Sequence, residues 1–169
     1  MTNAPSAATF TSAPLRNRIR VELDAPVSEV WALVGDLARF PEYSSGLERV
    51  DIKGNAQGEP TEYVCQFKPR EGGGDRLVHR ELFCWHAPNR GWATLAEEPN
   101  PFELTNSLAL VTLDPLPKGV VVTFEQYYDA EDLAMSRAEF DTALGDIGEK
   151  LVRRFGGRVV ERYISGNAL

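Results

Sequence analysis

The chain has 169 residues, and its 25 acidic side chains outnumber its 18 Lys and Arg, which gives a net charge of -7. This length suits one domain with a single hydrophobic core. The negative charge, with basic residues scattered along the chain, argues against binding to nucleic acid or an anionic membrane surface, because both need a basic face. No apolar run approaches the roughly 18 residues that span a bilayer.

The N-terminal residues are rich in Ala, Ser, Thr and Pro and have neither the basic nor the apolar stretch of a signal peptide. We therefore expect a disordered lead-in over residues 1–15, a single domain over residues 16–165, and a cytoplasmic location. The two cysteines, Cys65 and Cys84, lie inside strand-like segments. This placement predicts buried, reduced thiols rather than a disulfide.

The first structural signal is a strict alternation of polar and apolar side chains over residues 18–24, which is typical of a strand with one buried face. Pro26 ends this strand, because proline lacks an amide hydrogen, and it favours the first turn of a helix. Apolar residues at helical spacing over residues 28–34 predict that helix. Residues 37–41 predict a second short helical turn that Pro41 stops.

Six further strands are predicted between separators rich in turn-forming residues. They cover residues 47–53, 62–68, 76–85, 91–97, 104–113 and 120–128. The glycine run at residues 72–74 is interpreted as a hairpin turn and not as a phosphate loop, because strands flank it and no helix follows. Short connections between successive strands imply antiparallel pairing, since parallel pairing needs a long crossover.

From about Glu131 the apolar period becomes that of a long helix. One face carries apolar residues at steps of four, three, four and four, namely Phe140, Leu144, Ile147, Leu151 and Phe155. We expect a bend or break near Gly156, since glycine costs about 1 kcal/mol relative to alanine inside a helix. A seven-stranded sheet with one long amphipathic helix is predicted to curl around that helix, giving an α+β domain with an internal cavity.

Residues 21–34, followed by Phe40-Pro41-Glu42, resemble the opening of the START/Bet v 1-like (SRPBCC) superfamily. The resemblance implies a helix-grip fold, in which a curved antiparallel sheet surrounds a long C-terminal helix and two short helices follow the first strand. It says little about function, because this superfamily includes cyclases, lipid carriers and hormone receptors.

A narrower set of residues is similar to the single-domain polyketide aromatase/cyclases of type II polyketide synthase systems. In chain order it comprises residues 78–80 in the fourth strand, residues 98–102 before the sixth, Asn106 within it and Gln126 in the seventh. The resemblance implies a cofactor-independent enzyme of antibiotic biosynthesis that directs aldol cyclisation and dehydration of a poly-β-ketone. An acyl carrier protein is the implied donor of that chain.

The resemblance also implies roles for individual residues. Arg80 takes the place of a cavity arginine that contacts the polyketide, and Gln126 and Asn106 take the places of two pocket amides. Two positions depart from the family pattern. Leu47 stands where a pocket tyrosine is expected, although nearby Tyr43 can substitute, and Arg76 stands where a tryptophan is expected.

The chemistry of the candidate catalytic residues fits this reaction. The guanidinium of Arg80 stays charged and offers several donors in one plane to carbonyl or enolate oxygens. Gln126 and Asn106 can orient neutral carbonyls, and His79 can move protons if it faces inward. The candidate ligand-binding residues are mostly apolar: Tyr43, Leu47, Tyr63, Phe67, Arg76, Val78, Trp92, Leu108, Leu110, Phe124, Tyr128, Phe140 and Leu144.

Strand alternation leaves the facing of the fourth strand open, because residues two apart share a face. With Arg80 inward, the aromatic rings of Phe83 and Trp85 point outward, a conflict that a β-bulge between Arg80 and Phe83 would relieve. The competing interpretation places Arg80 on the surface, paired with Glu81 or Glu62. It also treats the fourth-strand histidine as structural or exposed.

Other functions also remain open at the level of sequence. A non-catalytic carrier or sensor of a lipid or other hydrophobic small molecule is favoured by Leu47 and Arg76. A partner-binding module with a vestigial pocket is the third alternative. The two histidines, His79 and His86, have no Cys or carboxylate at metal-ligand spacing, so no metal or cofactor is predicted. We expect a monomer or a homodimer.

Overall fold

The computed structural model describes residues 4–69 and 71–166. Eight strands and two α-helices form the body of the fold, with two short 3-10 helices at Ala7–Thr9 and Leu37–Glu42. In chain order the other elements are β1 (Leu15–Leu23), α1 (Val27–Val34), β2 (Leu47–Gly54), β3 (Pro60–Phe67), β4 (Val78–Ala87), β5 (Gly91–Ala96), β6 (Leu104–Leu116), β7 (Gly119–Ala130), α2 (Leu133–Phe155) and β8 (Gly157–Ile164).

All eight strands pair antiparallel in one curved sheet with the order β2-β3-β4-β5-β6-β7-β1-β8. The long helix α2 packs against β1, β8 and β7, so the sheet wraps around it. The predicted α+β helix-grip architecture is therefore confirmed. None of the helices in the described ranges is both long enough and apolar enough to cross a membrane.

The predicted strand count was one too low, because β8 follows α2 and pairs with β1 at the edge of the sheet. Its sequence gives little sign of a strand. Val159 and Val160 are neighbours rather than alternate residues, and both are about 40% exposed. An edge strand that lies largely in solvent does not need the alternation by which half-buried strands are recognised.

The first strand and the long helix together form the centre of the core. Ile19, Val21 and Leu23 are fully buried on the concave face of β1, as their alternation predicts. On α2, Ile147 and Leu151 face them and are also buried. The sheet therefore closes on α2 along β1, and the space left between α2 and the other half of the sheet becomes available for a cavity.

A two-glycine turn joins α2 to β8. The helix ends at Phe155, and Gly156 and Gly157 have φ angles of 75° and 112°. Residues with a Cβ rarely adopt this region. A Cβ at Gly157 would clash with the carbonyl oxygen of Glu22 on β1. The expected break near Gly156 is therefore confirmed. The close approach of the backbones of β1 and β8 requires glycine at position 157.

Replacing Gly157 by alanine is expected to lower the free energy of unfolding by about 2–4 kcal/mol, because the new methyl group adds backbone strain and a steric clash. Urea denaturation followed by circular dichroism measures this loss. Gly46→Ala is the matched control, since a Cβ there meets no atom within 4 Å. Equal stabilities of the two variants would contradict the role of the turn.

The described part of the N-terminal segment differs from the expected disorder. It forms the 3-10 helix Ala7–Thr9, and Ala7 and Phe10 pack on an apolar cluster of the convex face that includes Leu108 and Leu110. Composition predicted disorder because this segment offers few apolar side chains. Phe10 nevertheless anchors this segment, because its ring packs on the convex-face cluster that β5 and β6 provide. Residues 1–3 lie outside the described ranges.

Candidate functional site

An internal cavity of about 270 Å³ lies between the concave face of the sheet and α2. Its walls are mainly aromatic and aliphatic, which is typical of small-molecule sites with a few placed polar groups. The sequence-predicted residues that line it are Leu47, Tyr63, Phe67, His79, Trp92, Phe124, Gln126, Phe140 and Leu144. Strands β2 to β7 and α2 thus contribute to one apolar chamber.

A buried carboxylate stands on the wall that β3, β4 and β5 form. Glu81 is 8% exposed, and the register of β3 with β4 places it opposite Tyr63. The Tyr63 hydroxyl donates a hydrogen bond to Glu81 Oε2, and Thr94 Oγ1 donates one of 3.0 Å to Glu81 Oε1. Each carboxylate oxygen therefore has a hydroxyl donor, which offsets much of the cost of burying it.

His79 lies beside this carboxylate on the same face of β4. Its Nε2 is 3.6 Å from Glu81 Oε2, and its ring packs edge-on against Phe102 with centroids 5.5 Å apart. The side chain is 7% exposed, yet Nδ1 has no hydrogen-bond partner. An unpaired buried polar atom is costly and calls for an explanation. Because His79 lines the cavity, a bound ligand could supply that partner.

Burial shifts the ionisation of the groups around this wall. It raises the pKa of Tyr63 well above its usual value, and the Glu81 carboxylate adds to this effect. Tyr63 therefore stays a protonated donor at neutral pH. Burial likewise raises the pKa of Cys65, which lines the cavity, so its thiol is a poor nucleophile. Cys84 lies half-buried elsewhere on β4, and burial raises its pKa to about 11. Neither cysteine forms a disulfide.

The structure reverses the facing of β4 that the family resemblance implied. Arg80 is exposed on the convex face, where its Nη1 lies 3.3 Å from Glu97 Oε2 and its Nε lies 4.0 Å from Glu62 Oε1. Val78 shares that face and is 50% exposed. Arg76 precedes the strand, and its Nη1 is 2.7 Å from Glu48 Oε2 at the surface. The prediction that Arg80, Val78 and Arg76 reach the cavity was therefore wrong.

A β-bulge explains how β4 avoids exposing its aromatic side chains. The register with β5 shifts between Phe83 and Trp85, not between Arg80 and Phe83 as the sequence suggested. Before the shift, Phe83 follows the inward series of His79 and Glu81 and packs with the main core. After it, Trp85 joins the apolar cluster of the convex face. Both rings are thus covered while Arg80 remains outside.

A second irregularity displaces the residues predicted from β6. The register with β7 shifts between Thr105 and Leu108, and Asn106 has a φ of 51°. Asn106 is exposed, while Leu108 and Leu110 are buried in the convex-face cluster and not in the cavity wall. The cavity instead receives the alternate residues of this strand, Ser107, Ala109 and Val111. The predictions for Asn106, Leu108 and Leu110 were wrong for this reason.

Two predicted tyrosines are buried on the inner side of the sheet without lining the cavity. Tyr128 packs against Phe140 with ring centroids 4.9 Å apart and a tilt of 33°, and its hydroxyl donates a 2.8 Å hydrogen bond to Asn17 Oδ1. Tyr43 stacks on Phe40 at 4.9 Å. Both are core residues that support neighbours which do line the cavity, so their predicted role as ligand contacts is corrected.

Sequence reasoning missed several cavity residues of chemical interest. Glu81 lies two residues after His79 on one strand, so alternation already placed the two on a common face. Phe102 contacts both His79 and Phe67, but it belongs to the loop between β5 and β6, where no periodic pattern operates. Ser107 reaches the cavity only because of the β6 bulge.

The charge on the cavity lining is one-sided. Glu81, Glu125 and Glu139 border the cavity, and among the described residues no Lys or Arg does. The Glu125 carboxylate lies on the convex face and Glu139 is exposed, so the buried charge of the lining is that of Glu81. Arg18 lies 3.7 Å from Glu125, and the Tyr127 hydroxyl donates to that carboxylate as well. Within residues 4–69 and 71–166, no group of three or more His, Cys, Asp or Glu side chains is arranged to hold a metal ion.

Comparison with known proteins agrees with this architecture. Residues 15–164 match the family described as polyketide cyclase/dehydrase and lipid transport. The chain belongs to this family. The match spans all of β1 to β8, so the cavity and its polar wall lie within the family domain. Among curated proteins, none matches the sequence significantly.

Solved structures share the fold at low sequence identity. A START superfamily protein from Mycobacterium smegmatis is 15% identical with a TM-score of 0.69, over 84% of this chain and 97% of that one. A Thermobifida fusca protein is 22% identical with a TM-score of 0.59, over 80% and 92%. The di-domain aromatase/cyclase StfQ of steffimycin biosynthesis is 10% identical with a TM-score of 0.65, over 82% of this chain and 48% of StfQ.

Proposed function

We propose that this family member is a cofactor-independent cyclase that binds a poly-β-ketone in its cavity and directs its aldol cyclisation and dehydration. The observation that carries the proposal is His79, a buried base on an otherwise apolar wall with an unpaired Nδ1 and a carboxylate 3.6 Å from Nε2. Family membership and the fold shared with an aromatase/cyclase add support. The catalytic roles first assigned to Arg80 and Asn106 are not part of the proposal, because both side chains are exposed.

In the proposed aldol step, His79 takes one proton from the polyketide and returns it to the same molecule. His79 takes a proton from a methylene carbon between two carbonyl groups, and the electron pair of that C–H bond forms an enolate. The enolate carbon bonds to a ketone carbon further along the chain, whose oxygen becomes an alkoxide and regains the proton from the imidazolium. Loss of that hydroxyl with a proton from the adjacent carbon releases one water and leaves a C=C bond.

Three other features of the site serve this chemistry. The Glu81 carboxylate stabilises the imidazolium that forms when His79 takes the proton. The apolar walls limit the conformations of a flexible chain, which lowers the entropic cost of ring closure. Gln126 lies on β7, three strands away from β4 in the sheet, and its amide can orient a carbonyl group of the bound polyketide.

Incubation of the protein with a minimal type II polyketide synthase tests the proposal. We expect the mixture of spontaneously cyclised products to shift toward one first-ring regiochemistry, which liquid chromatography with mass spectrometry detects. Ala109→Phe, which places a ring in the cavity wall, is expected to remove the shift. Ala138→Phe on the exposed face of α2 is the matched control. An unchanged product mixture with the wild-type protein would refute cyclase activity.

A non-catalytic carrier is the second candidate, and the position of Arg80 favours it. The resemblance to cyclases implied that Arg80 lies in the cavity, but Arg80 lies outside it. The cavity lining is therefore mainly apolar, which is sufficient for binding a hydrophobic ligand without catalysis. Native mass spectrometry of protein purified without detergent separates the two functions. A stoichiometric ligand that survives purification supports a carrier, whereas an empty cavity with turnover in the synthase assay supports an enzyme.

A further inference from the structure

We infer that the cavity selects neutral ligands that carry a hydroxyl or enol group, and that it rejects ligands with a free carboxylate. This inference rests on the cavity of the proposed function and specifies its substrate class. It holds equally for an enzyme and for a carrier, because it concerns binding alone. Three features of the described residues carry it: the unpaired nitrogen of His79, the buried carboxylate of Glu81 in a lining without Lys or Arg, and the size of the chamber.

The polar groups on the wall formed by β3, β4 and β5 leave one hydrogen-bonding position free. The hydroxyl hydrogens of Tyr63 and Thr94 are directed to the two oxygens of Glu81. The nearby carboxylate favours the proton of a neutral His79 on Nε2, which leaves a lone pair on Nδ1. Nδ1 is buried and has no partner within the protein. A ligand hydroxyl or the enol form of a β-diketone is the donor that would complete this site.

The buried carboxylate of Glu81 disfavours anionic ligands. Glu81 belongs to the cavity lining, and both of its oxygens already accept hydrogen bonds from Tyr63 and Thr94. No Lys or Arg in the described part of the lining could pair with an incoming carboxylate. A buried charge without a partner is strongly unfavourable, and a like charge nearby adds to the cost. A free fatty acid therefore fits this cavity poorly, although its chain matches the apolar walls.

The volume limits the size of the ligand. An engineered cavity of about 150 Å³ holds one benzene molecule. The cavity of about 270 Å³ is not quite twice as large, so it suits a compound of two fused rings or a chain folded to that size. Compounds with one two-ring skeleton and different substituents can therefore probe the site directly.

Binding of naphthalene, 2-naphthol and 2-naphthoate to the wild-type protein at pH 7 tests the inference. We expect 2-naphthol to bind about tenfold more tightly than naphthalene, because it supplies one hydrogen bond to a buried acceptor. We expect 2-naphthoate to bind at least about 100-fold more weakly than 2-naphthol, because its charge is desolvated without a cation. Titration calorimetry or naphthyl fluorescence measures all three dissociation constants.

Variants assign each preference to its residue. His79→Leu is expected to bind naphthalene and 2-naphthol equally, and His79→Gln to restore part of the preference for 2-naphthol through its amide. Glu81→Gln is expected to reduce the discrimination against 2-naphthoate. Glu62→Gln is the matched control, since Glu62 lies on the outer face of the neighbouring strand and pairs with Lys53. Circular dichroism verifies that each variant is folded.

The outcomes separate this inference from the proposed cyclase activity. Binding of 2-naphthoate as tight as that of 2-naphthol would overturn it, as would equal binding of naphthalene and 2-naphthol to the wild-type protein. Failure of all three compounds to bind would also overturn it, because the cavity would then not accept a two-ring ligand. A protein that shows the expected preferences but does not change polyketide products supports the inference and refutes the cyclase.

Discussion

Replacement of His79 by leucine is expected to lower the rate of directed cyclisation at least about 100-fold, because a positioned acid–base group contributes about 10²–10⁴ to a reaction rate. The leucine side chain keeps an apolar surface against Phe102 while it removes the ring nitrogens. The synthase assay followed over time gives the rate. His79→Gln is expected to lose the rate as well, because an amide can accept a hydrogen bond but cannot transfer a proton at neutral pH.

The adjacent residue provides the control for this prediction. Arg80→Ala is expected to keep the wild-type rate and product, since the Arg80 side chain pairs with Glu97 on the convex face. The two residues are neighbours in sequence and point to opposite faces of β4, so the pair of variants tests the facing of the strand directly. Loss of directed cyclisation in Arg80→Ala with full activity in His79→Leu would reverse our assignment.

Replacement of Trp92 by alanine is expected to lower the free energy of unfolding by about 3–5 kcal/mol, the usual cost of removing a large aromatic ring from a core. Trp92 is 2% exposed, and its Nε1 donates a 3.0 Å hydrogen bond to the carbonyl oxygen of Val34 at the end of α1. Its ring also packs near Phe40, Tyr63 and Phe83. The residue therefore joins the short helices to the cavity wall, and denaturant unfolding measures its contribution.

Trp85→Ala is the matched control for this stability prediction. Trp85 lies on the convex face in the smaller apolar cluster and is only partly buried. Its replacement is expected to cost about 1–2 kcal/mol, since less apolar surface is lost. A cost at Trp85 that equals or exceeds the cost at Trp92 would show that the convex cluster, and not the cavity wall, dominates stability.

The fourth strand shows where reasoning from sequence succeeds and where it fails. Alternation grouped His79, Glu81 and Phe83 on one face, and the structure places all three on the concave side. The resemblance to aromatase/cyclases argued for the opposite face, because it gave Arg80 a cavity position. The exposure of two aromatic rings was the physical objection to that choice, and burial of Phe83 and Trp85 on opposite faces resolves it.

Bulges account for much of what the sequence did not predict. A strand's alternation fixes which residues share a face, but one extra residue exchanges the faces beyond it. The shift in β6 moved Leu108 and Leu110 to the convex face and brought Ser107 into the cavity. Bulge positions depend on the pairing with neighbouring strands and on the curvature of the whole sheet, and no local pattern in 104–113 reveals them.

Local periodicity and short connections were sufficient to predict the order of the elements from β1 to α2, the antiparallel pairing and the long amphipathic helix, but not the exposed edge strand β8. They also predicted that the curled sheet encloses a cavity, since one helix cannot cover so many strands. Which polar groups face that cavity depends on the assembled sheet. Strand register and two bulges placed the pair of His79 and Glu81 inside and Arg80 outside. Those relations join residues distant in sequence, so they arise only when the sheet is assembled.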